Sequence, residues 1–296
     1  MIRTLYVGQQ VQIVTGPTGV GGVRATGVLP VSSASCEVTK PVEAVTAFGR
    51  LGSLALAQTN LTTCKSSIKA YLSSGASAYT ASGLNTGVTA GLLRAITGDA
   101  VNGTYTVITV TPNGFTMSGI LTSLGVDMAL GGFGMIDFGF AGIGQPLFSS
   151  AGSNATTEPS PNQTPASIVP VTTVAVGGQV TGFGCANSYK FSLDMPTDNL
   201  ACLGDPPDMP QMPGLNSLIA TKPPYKATVT VEGFGIDVAN TGLLATPANL
   251  SAAFTLGGLN ISLPNAIVSS KSFNNAVGTA NASYNFTMED VTATFA

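Results

Sequence analysis

Apolar and polar residues alternate with period two at several places along the chain, over residues 6–14, 105–111, 225–232 and 282–288. Each run is rich in Val, Thr, Ile or aromatic residues and is bounded by Gly, Asn or Pro, which predicts half-buried β-strands. Helical patterns are few and short. Residues 41–48 begin with Pro41, a residue tolerated in a first turn, and are followed by Gly49 as a stop, so two turns of helix are predicted there. Residues 91–96 predict one turn more. The longest apolar stretch, 119–144, contains Asp127 and Asp137 and is broken by glycines. A spanning helix needs about 20 uninterrupted apolar residues, so no membrane span is expected. Residues 145–170 are rich in Ser, Thr, Pro and Asn and show no periodicity, which marks a linker. The expected organisation is a β domain over 1–150, a linker over 151–170 and a second β domain over 171–296.

Composition changes this picture in one respect. Only 8% of the 296 residues are charged, against 44% hydrophobic, with 36 glycines and neither Trp nor His. Ordinary soluble domains carry about a quarter charged residues. Much of what would be surface on a monomer is therefore expected to be covered by other subunits. The first residues contain no continuous apolar run, so no export signal is expected. In its absence the scattered Asn-x-Ser/Thr sequons carry no weight. Cys36, Cys64, Cys185 and Cys202 lie far apart, without a C-x-x-C pair. They read as small apolar side chains rather than as disulfides or zinc ligands.

Catalytic patterns fail. Without histidine there is no Ser-His-Asp triad, no Cys-His pair and no H-E-x-x-H site. The glycine-rich residues 16–22 lack the Lys-Ser/Thr of a phosphate loop, and residues 139–144 are no dinucleotide fingerprint. Glu289 and Asp290 are adjacent, and neighbours on a strand face opposite ways. The expectation is a structural protein with no enzymatic activity, no cofactor and no metal.

An internal repeat is the most informative feature. Residues 41–50 (PVEAVTAFGR) match residues 196–205 (PTDNLACLGD), 155 positions on, in Pro41/Pro196, Glu43/Asp198, an apolar eighth residue and Gly49/Gly204. The preceding strands keep their alternation at the same offset, Cys36 and Val38 answering Phe191 and Leu193. Downstream, the run starting at Cys64 aligns with the run starting at Tyr225, and Pro112-Asn113 with Pro264-Asn265. Three matches in the same order indicate duplication, which supplies two quasi-equivalent units to a ring.

A strand followed by P-x-[ED]-x-[VL]-x-x-[FL]-G, then an irregular passage and another alternating strand, resembles the tail tube proteins of tailed bacteriophages. The resemblance covers residues 31–72 best and 189–233 second; it departs where Asp205 stands for Arg50. It implies a mainly β fold of two tandem β-sandwich or barrel domains with few short helices. It also implies hairpins that join those of neighbouring copies around a channel, and a trimer of two-domain chains as a pseudo-hexameric ring. Stacked rings, a tape-measure protein in the lumen, tail terminator and baseplate proteins as partners, and double-stranded DNA passing without specific binding are further implications. So is a place in the virion tail, assembled in the host cytoplasm away from membranes. The net charge of −3 suits such a lumen, since a basic wall would hold phosphates. Pro41, Glu43, Gly49, Arg50, Pro196, Asp198, Gly204 and Asp205 become candidate assembly residues. Residues 1–150 hold seven basic and five acidic side chains, a balance of +2, and residues 151–296 hold four and nine, a balance of −5. Opposite balances would favour alternating domains round a ring, with Arg50 and Asp205 as the sharpest local form. A capsid decoration or baseplate protein, or a surface-layer or adhesin module, remains an alternative.

Overall fold

The structure is a computed structural model that describes residues 10–15, 25–46, 53–71, 79–81, 96, 105–111, 114–148, 174–178, 185–199, 219–222, 225–234, 248–254, 260–274, 283–290 and 294–295. The described elements are β-strands. The first half holds β1 (Gln10–Thr15), β2 (Ala25–Thr39), β3 (Val42–Thr46), β4 (Ser53–Gln58), β5 (Thr63–Tyr71) and β6 (Tyr79–Ala81), then β7 (Thr106–Thr111), β8 (Phe115–Ala129), β9 (Met135–Ile143) and β10 (Leu147–Phe148). The second half holds β11 (Val174–Gly178), β12 (Cys185–Asp194), β13 (Thr197–Asn199), β14 (Ile219–Thr221) and β15 (Lys226–Phe234), then β16 (Ala248–Phe254), β17 (Asn260–Asn274), β18 (Ser283–Asp290) and β19 (Thr294–Phe295).

Period-two sequence becomes two-faced strand. In β5 the side chains of Cys64, Ser66, Ile68 and Ala70 are buried while Lys65 and Ser67 are exposed. The long strand β8 turns the sheet. Its first half pairs with β7 and its second half with β9, so the ladders β8–β7–β1–β2–β5–β9 return to β8. Val11, Ile13, Ile68, Ile108, Leu124 and Phe138 fill the inside of this curl, and Phe138 stacks on Phe140 with centroids 6.1 Å apart. The β8–β9 connection is a tight turn in which Gly132 N–H donates to the Ala129 carbonyl at 2.9 Å and Gly131 adopts φ 79°. That positive φ at the third turn residue is the type II pattern, which calls for glycine.

Two sequence expectations are corrected. Residues 42–46 form no helix; they are β3, hydrogen-bonded to β4 from Val42↔Gln58 onward. Val42, Val45 and Thr46 are β-branched and favour the strand, and the deciding partners lie 7 to 16 residues downstream, beyond the reach of a helical period. Glu43 is consequently an exposed strand residue, not an acid at a helix start. The linker also begins later than residue 145, because Leu147 and Phe148 pair with Thr116 and Phe115 of β8. Residues 151–170 lie outside the described residues, as do all but the buried Ile96 of 91–96.

The ladders of the first half recur in the second. The orders β2–β5–β9–β8 and β12–β15–β18–β17 are the same, antiparallel throughout. The register irregularity between Val31 and Ser33 recurs between Ala186 and Ser188, each residue 155 positions on. The one between Leu121 and Ser123 recurs between Val268 and Ser270, 147 positions on. Hairpin β3–β4 is answered by β13–β14. Bulges are discrete backbone features, and their coincidence in two ladders does not follow from β-rich composition. Ser33↔Lys69 and Ser188↔Glu232 place β15 163 positions after β5, two more than the sequence alignment gave. An even slip preserves which side chains share a face.

Candidate assembly surface

Inside the chain the two four-stranded runs join. β8 and β12 pair antiparallel from Ser123↔Asp194 to Ala129↔Ser188, so that within the larger 15-stranded sheet eight strands run in one continuous ladder, β2–β5–β9–β8–β12–β15–β18–β17. The junction is sealed by the Met195 N–H, which donates to the Thr122 carbonyl at 2.8 Å at the β8 bulge.

One face of this sheet is polar, and its charges oppose one another across the ladders. Glu37 is registered with Lys65, Lys69 with Asp137, Asp127 with Lys190 and Asp194 with Lys226. Lys69 Nζ lies 3.6 Å from Asp137 and Lys190 Nζ 3.8 Å from Asp127. Ser188 Oγ donates to the Glu232 carboxylate at 3.1 Å. Such exposed pairs add little stability, at most about 1 kcal/mol each, but they cancel the field of the face. A groove of about 450 Å³ lies here, lined among others by Ser35, Glu37, Lys65, Ser67, Ser123 and Asp194.

The two ends of the sheet differ from its middle. Along residues 31–39 one edge of β2 pairs with β5; β1 holds the opposite edge only over residues 26–30. Along residues 267–274 one edge of β17 pairs with β18, while β16 reaches only residues 260–266. Among the described residues nothing pairs with the remaining edge of either segment. Burial follows. Tyr189, Phe191 and Leu193 of β12, flanked by β8, are 0%, 2% and 8% exposed, whereas the matched Ala34, Cys36 and Val38 of β2 are half-exposed. Partial burial pushes the Cys36 thiol pKa up, and full burial pushes that of the Tyr189 hydroxyl well above its usual value.

Of the residues singled out from sequence, Pro41 and Pro196 hold equivalent places. Each carbonyl closes a hairpin base, accepting from Thr59 N–H at 3.1 Å and from Lys222 N–H at 2.7 Å. Asp198 pairs with Lys222 at 3.2 Å; the residue matching Lys222 in the first half is Thr59, so Glu43 has no equivalent cation. Gly49, Arg50, Gly204 and Asp205 lie outside the described residues. The edge residues Ala34, Cys36 and Val38 were not singled out. Their signal was present in the alignment itself, as smaller side chains wherever β12 carries Tyr, Phe and Leu. Hairpin β3–β4 further exposes Val42 and Leu56, the latter by 72%.

Among the described residues no group of three or more His, Cys, Asp or Glu is placed to hold a metal, and no helix is long and apolar enough to cross a membrane. No family model matches the sequence, and no curated protein matches it.

Proposed function

We propose that this chain is a structural, non-catalytic subunit of a bacteriophage tail tube, built from two tandem copies of one β domain, which polymerises into stacked rings around a DNA channel. The observation that carries this reading is the eight-strand ladder that continues from one repeat into the next and in which, among the described residues, one edge of residues 31–39 and one edge of residues 267–274 have no strand partner. An open edge is a hazard to a monomer and a joint to a polymer. Closure between copies removes every edge, as in a barrel. Three copies of eight strands give a ring of about 24, more than the roughly 16–18 at which barrels already hold water.

The polar face supports the channel. Its charges are neutralised in cross-strand pairs, so a duplex moving past it meets no row of uncompensated lysines to bind phosphates. DNA is cargo in this reading, and the copies of the chain are its principal partners. Negative-stain microscopy of the purified protein tests it. Hollow stacked rings or tubes are expected, and isolated compact particles at every concentration would overturn it. Single rings that never stack would favour a capsid decoration or baseplate component.

A further inference from the structure

The internal junction is a template for the external one. The β8 ladder maps onto β17 by a shift of 147 positions and β12 maps back onto β2 by 155, so each β8–β12 pair names a β17–β2 pair. Ser123↔Asp194 becomes Ser270↔Thr39, Val126↔Phe191 becomes Phe273↔Cys36, and Asp127↔Lys190 becomes Asn274↔Ser35. Resting on the reading of the chain as a polymerising subunit, we propose that residues 270–274 pair antiparallel in this register with residues 35–39 of a second copy.

Three observations favour that occupant. First, Ala34, Cys36 and Val38 are half-exposed, while β12 residues at the same places are covered by a strand of this very ladder. Second, large and small residues are exchanged at the centre of the joint: the internal junction sets Phe191 opposite Val126, and the external one sets Cys36 opposite Phe273. Third, the register meets no like charges. Lys190–Asp127 is replaced by the uncharged Ser35 and Asn274, and Glu37 comes opposite Ser272. Any one-residue slip would put the apolar set of β2 on the wrong face of the joint.

The native thiol at Cys36 supplies the test. Directly opposed strand residues lie about 4.5–5.5 Å apart at Cα, within disulfide range. The full-length Phe273→Cys protein is assembled, oxidised at mildly alkaline pH to ionise the half-buried thiol, and run without reductant, with the linked peptides mapped. The register predicts a shift of the monomer band to covalent multimers joined through residues 36 and 273. The double variant Val38→Cys, Lys271→Cys provides a second opposed pair should Phe273→Cys fail to fold. Ser272→Cys, one residue out of register with Cys36, should stay monomeric on the gel. Rings visible by microscopy with neither opposed pair linked, or with Ser272→Cys linked to Cys36 equally well, would overturn this register and leave the subunit reading standing. A protein that stays monomeric by light scattering at all concentrations overturns both.

Discussion

Phe138 and Leu56 mark the two extremes of what an apolar side chain does in this chain. Phe138 is 1% exposed and stacked on Phe140, and Phe138→Ala should cost about 3–5 kcal/mol through lost transfer energy and the cavity left behind. Leu56 projects from the β3–β4 hairpin, and Leu56→Ser should change stability by less than about 0.5 kcal/mol. Urea denaturation of both variants measures the difference; equal losses would mean that Phe138 does not lie inside the curl. Glycine has a comparable contrast. A Cβ at Gly119 would lie 2.7 Å from the Ala141 carbonyl oxygen, so Gly119→Ala requires β8 and β9 to separate, and its melting temperature should fall clearly below that of the unsubstituted protein.

At the scale of elements, the sequence was most legible where period two is strict. The runs at 105–111 and 225–232 became β7 and β15 almost to the residue. Hairpin β3–β4 is not legible locally because Pro41, an acid and Gly49 fit a short helix as well as a strand, and only the non-local pairing with Ser53–Gln58 separates the two. The repeat was legible through Pro41 and Pro196, although their contribution is a backbone carbonyl at a hairpin base, which no side-chain pattern announces. The strand edges left without a partner among the described residues are illegible in either half alone; they show only when β2 is set against β12. Alternate amides of a strand point to opposite edges, so half of those in residues 31–39 should exchange rapidly in dilute, unassembled protein and slowly in assembled particles. Residues 188–194, paired with both β8 and β15, should be slow in each state. Hydrogen exchange read by mass spectrometry that showed no change in 31–39 on assembly would place the subunit joint elsewhere.

For the whole molecule, charge enters in two ways that experiment can separate. Asp127 and Asp137 each neutralise a lysine on the polar face. The variant Asp127→Asn, Asp137→Asn leaves Lys190 and Lys69 unopposed, so in the proposed tube it should retain duplex DNA in co-sedimentation at about 50 mM salt and release it at about 200 mM. The unsubstituted protein in the same proposed assembly should retain little at either. The proposed joint sets no charged pair across the strands, so assembly followed by light scattering should vary little between about 50 and 500 mM salt. The opposite charge balances of the two halves, with Arg50 and Asp205 as their local form, instead predict assembly that weakens with salt and fails in Arg50→Asp. The central claim is that copies join edge to edge into a hollow ring, and an end-on cryo-electron microscopy reconstruction of assembled particles tests it most directly. The account predicts three copies, about 24 strands around an open lumen roughly 45–50 Å across between backbones, and the paired charges facing inward. A filled cross-section, or a ring in which residues 31–39 and 267–274 face solvent, would contradict it.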